Sequence, residues 1–330
     1  MADLKDVLKK LNKGKKEEDQ VKVLGDTSLV RGTISTGSPY LDYLTGGGYL
    51  DGGYNTIVAD GGTGKSSMAL LACKHVIDVK GKYAVYLDGE STLNDSYIDR
   101  MGVDRSKLIV KRGRNLEEML DNAEAFSTAD DVGIIIFDSI LIFTATSVEE
   151  KSAGDNSMTA EARRYAARMP IIEGNCVPRN IGMIGLTSWR EKPGAMGDPR
   201  YLSRGNWQYT MNNTFLDITR KKFIFNDLGE EIGHTLDVRV KKTKNSTYDP
   251  KKAYNLNFYY QGGFDQIEEY GRLFLELGII SQGGAWISYP DTNGEIQKVS
   301  GISGFLDIIK TNEELFDMLK KDYEKIISEQ

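Results

Sequence analysis

The eight residues Ala59–Ser66, ADGGTGKS, constrain this chain more than any other stretch. A run with strand character (Tyr54–Val58) precedes them and a run with helix character (Lys65 to about Val79) follows. Strand, glycine-rich turn and helix in that order are the setting of a phosphate-binding P-loop. Gly61, Gly62 and Gly64 let backbone N–H groups close around phosphate oxygens, and the helix aims the positive end of its dipole at them. In that geometry Lys65 reaches the β and γ phosphates and the Ser66 hydroxyl ligates Mg²⁺. The whole segment Ala59, Asp60, Gly61, Gly62, Thr63, Gly64, Lys65, Ser66 and Ser67 is then the expected nucleotide contact. A strict P-loop has glycine where Ala59 stands, and alanine holds that place if its φ is negative. The plain alternative is a glycine-rich turn of no special function.

What surrounds the loop sets the fold class. From about residue 31 to 265 the pattern alternates strand and helix, as in α/β domains. Tyr54–Val58, Tyr83–Asp88, Leu108–Lys111, Gly133–Asp138 and Ile181–Leu186 are short runs rich in Val, Ile or Leu, as buried parallel strands are. Phe215–Lys221, Thr235–Lys242 and Tyr254–Tyr260 alternate without room for crossover helices, and read as antiparallel strands extending a mostly parallel central sheet. Beyond Gly262 the pattern predicts a helix over Asp265–Leu277, a hairpin in GGAWISYPDTNGEIQKV, and helices over Ile302–Ile309 and Glu313–Ser328. This gives three parts: an N-terminal helix and linker (1–30), an α/β core (31–265) and a small α+β domain (266–330). At the N-terminus Leu4, Val7, Leu8 and Leu11 form an apolar stripe ahead of the charged run GKKEEDQ. A helix this short needs a surface to cover that stripe, on its own chain or on another subunit.

Composition narrows the function less than the motif does. A length of 330 residues allows one large core and a satellite domain. The formal net charge of −6 does not mark a nucleic-acid binder, so any polyanion site must be a local basic surface. Cys73 and Cys176 are far apart in apolar surroundings and read as reduced structural thiols of a cytoplasmic protein. His75 and His234 lack the neighbours a zinc site needs. No signal peptide and no long apolar run is visible, which gives the expectation of a soluble, unexported chain with no membrane partner.

The chemistry expected around the loop comes from strand ends. Asp138 closes GIIIFDS at the carboxyl end of a buried strand, where a carboxylate joins the Mg²⁺ shell; an N-cap for the next helix is its plainer role. Glu90 in YLDGE projects into the same crevice and is the candidate base that orients an attacking water. Asp88 is its competitor, with a supporting role at the strand end. Tyr97, seven residues on, offers a ring to a purine face or simply packs. Two loops stand out. The segment Glu149–Arg164 is polar and leads into a helix bearing Arg163, Arg164 and Arg168. Trp189–Met211 is long and carries Arg190, Lys192, Arg200 and Arg204 among Trp189, Tyr201, Trp207 and Tyr209. Arginines among aromatics suit phosphate neutralisation and contact with unstacked bases; a solvated surface loop is the plain alternative. A second basic run spans Arg239–Lys252.

Taken together, these residues resemble the RecA family of ATP-dependent recombinases. ISTGSPYLDYLTGGGYLDGG (34–53) is similar to that family's segment ahead of the P-loop, and YLDGE with NDSYIDRMGVD to its glutamate and adenine-stacking region. GDNSMTAEARR (154–164) and GDPRYLSRGN (197–206) resemble its two DNA-binding loops, and EYGRLFLELGII with GAWISY (269–289) its junction to a small C-terminal domain. The resemblance covers about residues 30–325. It implies a RecA-like fold and a helical filament on single-stranded DNA, with ATP and Mg²⁺ between subunits. The activity implied is DNA-dependent ATP hydrolysis coupled to pairing with homologous double-stranded DNA and strand exchange. The partners implied include single-strand-binding or mediator proteins. By position, Lys65 and Glu90 are catalytic, Ser66 and Asp138 hold Mg²⁺, Tyr97 stacks on adenine, and Asn94 stands where the family has an aspartate near the adenine amino group, its amide oxygen able to accept that hydrogen bond. Lys244 reaches the neighbouring subunit's γ-phosphate. Met158, Arg163, Arg164, Arg190, Arg200, Arg204, Gly205 and Asn206 contact DNA, and the N-terminal helix docks on the adjacent subunit.

The departures from that family are specific. Ser188 in LTSWRE stands where bacterial members have a γ-phosphate-sensing glutamine, and Ser246 replaces the second lysine of the interface pair. The chain also lacks the acidic C-terminal tail of many bacterial members. These differences imply altered coupling between DNA and hydrolysis, and point to a divergent branch such as a bacteriophage-encoded member. Two alternatives remain at this level: a helicase-like motor on the same fold, and a regulatory or scaffolding DNA filament with little strand exchange.

Overall fold

Val132–Asp138 is seven residues long and buried throughout, as a strand covered on both faces must be. It lies inside a nine-stranded sheet. The computed structural model describes residues 3–15, 20–21, 31–145, 156–192, 194, 199–246 and 249–329. In chain order the strands of the large sheet are β1 (Tyr54–Ala59), β2 (Tyr83–Asp88), β3 (Leu108–Arg112), β4 (Val132–Asp138), β5 (Gly182–Thr187), β6 (Phe215–Phe225), β7 (Glu231–Lys242), β8 (Tyr254–Tyr259) and β9 (Gly263–Phe264). Their spatial order is β9-β8-β7-β6-β1-β5-β4-β2-β3.

The pairings β3-β2-β4-β5-β1-β6 are parallel, and β7, β8 and β9 add on antiparallel. The expectation of a mostly parallel sheet with an antiparallel extension therefore holds, with one correction. β6 is not antiparallel to the P-loop strand. It runs parallel to it, with Phe215 opposite Thr56 and Ile218 opposite Ala59. The crossover that parallel pairing requires is the segment 188–214, which reads as a loop but ends in a short helix.

The helices, also in chain order, are α1 (Leu4–Asn12), α2 (Pro39–Thr45), α3 (Lys65–Lys80), α4 (Asp95–Arg100), α5 (Leu116–Phe126), α6 (Asn156–Cys176), α7 (Trp207–Met211), α8 (Gln266–Glu276), α9 (Gly301–Thr311) and α10 (Glu313–Ser328). Alternation along the strands sorts the core into two layers. Ile57, Tyr86, Ile134, Ile136, Ile184 and Leu186 face α3, whose Met68, Ala72, Cys73 and Val76 meet them. Tyr54, Val85, Leu87, Ile135, Phe137 and Met183 face α5 and α6 through Met119, Leu120, Tyr165 and Met169. Both faces are covered, which is the doubly wound α/β arrangement.

A third apolar cluster lies after residue 266 and gathers Phe274, Ile280, Ile287, Phe305, Ile309, Leu315 and Leu319. Here the predicted hairpin is a three-stranded sheet of Ser281–Gly283, Trp286–Pro290 and Ile296–Ser300. α8 packs on α2. At that junction the Ser38 hydroxyl donates to Glu269 Oε2 at 2.5 Å and the Tyr40 N–H donates to the same oxygen at 3.1 Å.

α1 forms where its apolar spacing predicts, yet it buries none of its residues, and Leu4, Val7 and Leu11 are exposed. Of the two surfaces weighed for its stripe, its own chain is not used among the described residues. If the stripe meets a second copy, Leu4→Asp with Leu11→Asp will shift sedimentation towards monomer and leave the melting midpoint unchanged. A lowered midpoint would mean the helix packs on its own chain.

Candidate nucleotide site and DNA loops

Ala59 ends β1 without the positive φ that only glycine holds easily, so the departure from a strict P-loop costs nothing in backbone strain. The glycines are used where the turn needs them: Gly62 and Gly64 have φ of 70° and 96°. Gly64 is followed at once by α3, whose first N–H groups face the loop. The loop lies at the carboxyl ends of β1, β2, β4 and β5, the usual ligand position in such sheets. A cavity of about 230 Å³ opens there, lined by Gly61–Ser66, Glu90, Tyr97 and Ser188.

Lys65 Nζ donates to the carbonyls of Ala59 at 2.8 Å and Asp60 at 3.0 Å. Burial pulls its ammonium pKa down, and the carboxylates of Glu90, Asp138 and Asp60 oppose that. The Ser66 hydroxyl donates to Asp138 Oδ2 at 2.7 Å, and the Tyr86 hydroxyl donates to the same oxygen at 2.6 Å. Asp138 Oδ1 is buried with no hydrogen-bond partner among the described residues. Burial raises the Asp138 pKa, and the two hydroxyl donors counter it. A hydroxyl and a carboxylate this close, with one carboxylate oxygen unused, fit the inner and outer shell of Mg²⁺.

Glu90 stands exposed at the cavity rim. Its loop is fixed by Asp88, whose buried carboxylate accepts from the N–H groups of Thr92 and Leu93, both at 3.3 Å. That leaves Asp88 in a supporting role. The Tyr97 hydroxyl lies 2.8 Å from Ser67 Oγ, and Arg100 sits over the ring at 5.5 Å. Asn94 caps α4: its side-chain oxygen accepts from the Tyr97 N–H at 2.9 Å. Ser188 donates to the Ala59 carbonyl at 2.6 Å, so it meets the P-loop through the backbone. Lys244 is apart from this cavity. It lines a groove of about 670 Å³ with Tyr43, Ser246 and Tyr323, and the Ser246 hydroxyl turns back to the Leu44 carbonyl at 2.6 Å.

Among the candidate DNA-loop residues, the side chain of Met158 lies outside the described residues. Arg163 and Arg190 are exposed. Arg190 and Glu191 pair with Arg200 and Tyr201 in a small ribbon, and the Arg200 guanidinium lies 5.3 Å over Trp189. Trp189 in turn donates from Nε1 to Asp217 at 2.8 Å. Arg164 is bound to Glu117 at 2.6 Å. Gly205 (φ 104°) and Asn206 lead into α7, where the Asn206 carbonyl accepts from Tyr209 N–H.

Arg204 needs a correction. It is only 12% exposed, forms an ion pair with Glu161 (2% exposed), and donates to the Leu141 carbonyl at 3.0 Å. Its donors are turned inward, so it is not offered to a nucleic acid.

The sequence reading missed two residues that brace the P-loop from outside. His234 Nε2 lies 3.2 Å from the Thr63 carbonyl, and Arg220 donates to the Gly62 carbonyl at 3.2 Å. Burial lowers the His234 pKa, which favours the neutral ring. The signal for His234 was its register: it shares the buried face of β7 with Leu236, Val238 and Val240, where a polar ring needs a partner. Glu161 carried a similar signal, falling on the buried stripe of α6 with Tyr165, Met169, Ile172 and Cys176.

Fold and site together define a P-loop nucleotide-binding protein of the doubly wound α/β class. Comparison with known proteins narrows this. The model of the RecA N-terminal domain matches residues 2–265. A protein named RecA from Mycoplasma mycoides subsp. mycoides SC is 29% identical over 329 residues, covering 98% of this chain and 93% of its own. RecA of Chloroherpeton thalassium is 30% identical over 90% of this chain and 82% of its own. RecA of Synechococcus sp. is 31% identical, over 82% and 71%. Among solved structures, the RadB recombinase has a similar fold, with a TM-score of 0.52 at 16% identity over 69% of this chain and 97% of that one. The chain belongs to the RecA family. Among its described residues no helix is long and apolar enough to cross a membrane.

Proposed function

We propose that the protein is a RecA-type recombinase that binds ATP and Mg²⁺, assembles as a filament on single-stranded DNA in the cytoplasm, and exchanges that strand with homologous duplex. The observation that carries this reading is the cavity that brings Lys65, Ser66, Glu90, Tyr97 and Ser188 around one P-loop. Lys65 releases the carbonyls of its own loop for the β and γ phosphates. Ser66 and Asp138 would hold the cation, which would neutralise charge on the phosphate oxygens. Glu90 orients a water and takes its proton. Tyr97 packs beside the base and Asn94 keeps that helix end in place. Lys244, remote from its own P-loop, is assigned to a neighbouring subunit's nucleotide. The chain is divided into 1–30, 31–265 and 266–330, and the separate apolar cluster after residue 266 supports the last of these boundaries.

For DNA, the exposed Arg163 and Arg190 and the Trp189-stacked Arg200 are the contacts, with Gly205 and Asn206 shaping the loop. Replacing all three arginines by alanine should weaken single-strand binding and flatten its salt dependence by about 2 in slope, for three phosphates each releasing a fraction of a counterion. An unchanged slope would move the contact elsewhere. The function itself is tested by joint-molecule formation between circular single strands and linear duplex with ATP, with microscopy of the assemblies. Helical filaments with joint molecules support the reading; closed rings that unwind forked duplex would replace it with a motor.

A further inference from the structure

The turn after Asp138 is held from three sides. Ile140 N–H donates to the Leu186 carbonyl at 2.9 Å, next to the start of the Ser188 segment. From α6, the Tyr165 hydroxyl donates to the Ile140 carbonyl at 3.1 Å, and Glu161 Oε1 accepts from Ala145 N–H at 3.3 Å. From the second candidate DNA loop, Arg204 donates to the Leu141 carbonyl at 3.0 Å.

Glu161 and Arg204 close this circle through their ion pair, which is almost wholly removed from solvent. The Arg204 backbone is left-handed, with φ 71°, a conformation an arginine takes only when its surroundings over-determine it. Trp207 seals the pair: its indole N–H donates to the Arg204 carbonyl at 2.8 Å and its ring stacks on Tyr165 at 5.3 Å. A buried ion pair is a poor way to gain stability compared with apolar packing, but removing one partner strands the other charge at a large cost.

We infer that the Glu161–Arg204 pair is a latch joining both candidate DNA loops to the turn that follows Asp138, so that Arg204 acts on hydrolysis as a positioning residue. The first candidate DNA segment enters through Glu161, on the opening turns of α6, and loop 199–206 enters through Arg204. Both pull on residues 139–145, directly downstream of the carboxylate that meets Ser66. This gives the chain a route between DNA and the nucleotide that does not pass through the side chain at 188. The inference rests on the recombinase reading.

The test separates the latch from fold stability. Arg204→Gly suits the left-handed backbone but strands the Glu161 carboxylate, and should melt several degrees lower. Glu161→Gln with Arg204→Gly removes the stranded charge and keeps an acceptor for Ala145, so its melting midpoint should return towards wild type. Phosphate release is then measured with and without oligo-dT. The double variant is expected to keep its DNA-free rate and lose most of the stimulation, with oligo-dT affinity that no longer responds to a non-hydrolysable ATP analogue. A wild-type stimulation ratio in the folded double variant overturns the latch. If the double variant melts below assay temperature, Arg204→Lys carries the test: it keeps the charge beside Glu161 but lacks the fork that also reaches Leu141, and an undiminished ratio overturns the latch equally. A wild-type protein whose hydrolysis ignores DNA overturns the latch and the DNA-dependent reading together, and is recognised in the wild-type arm alone.

Discussion

Glu90→Gln is expected to lower ATP hydrolysis by on the order of 10²–10⁴-fold while nucleotide binding stays close to wild type. The substitution keeps shape and hydrogen-bonding capacity but removes the carboxylate proposed to accept a proton from water. Glu90 lines the cavity only at its rim and acts on Lys65 through charge alone, while the cradle is built by residues 61–66, Lys65 among them. Its place at the rim depends on the 89–93 loop, which Asp88 holds independently of the Glu90 side chain. Phosphate release and titration with a fluorescent ATP analogue separate the two effects. Loss of binding in parallel with hydrolysis would make Glu90 a ligand for the nucleotide; hydrolysis within tenfold of wild type would remove it as the base.

The second large effect concerns pH and the junction between α2 and α8. Burial raises the Glu269 carboxyl from its ordinary 4.5 to about 8, against the donors Ser38 and Tyr40 N–H. Asp42, held by Ser35 and Thr36, is raised from 3.8 to about 6, also by burial. Both folded-state values lie above the unfolded ones, so the folded chain binds more protons. The sign follows: this contribution to stability is full below about pH 4 and is lost as pH rises through 6 and then 8. For Glu269 the loss is on the order of a few kcal/mol. Glu269→Gln leaves an oxygen to accept from Ser38 and Tyr40 and should flatten the decline. The check is the urea midpoint of both proteins from pH 5 to 9. Parallel curves would show that Glu269 ionises in the fold as it does in the unfolded chain.

Much of the fold is readable because its signals are local. The P-loop and the runs ending in Asp88, Asp138 and Thr187 each carry their period and punctuation within a few residues, and their boundaries move by one residue or so in the structure. The direction of β6 was not readable. Pairing partners in a sheet are set by distant chain, and the crossover that makes β6 parallel hides its short helix in a glycine- and arginine-rich stretch. The residues that line the P-loop cavity follow from strand ends and motif spacing. Arg204 did not, because composition counts an arginine as a surface charge until its partner is known. That partner, Glu161, lies 43 positions earlier, counted from their residue numbers. His234 failed for the opposite reason: one isolated ring offers no motif, and only its face on β7 marks it as held.

The position of the P-loop strand inside the sheet also governs when the site can exist. β1 occupies residues 54–59, but its two neighbours are β5 at 182–187 and β6 at 215–225. A chain growing from its N-terminus therefore makes the phosphate cradle early and encloses it late. Closure waits until well over half of the polypeptide has emerged, and the loop entropy of bringing such distant segments together slows the step. Until then β1 carries unpaired backbone on both edges, open to wrong partners. Refolding should accordingly gain helical signal before nucleotide affinity, and ATP with Mg²⁺ should act on the last phase by favouring the enclosed strand over the open one.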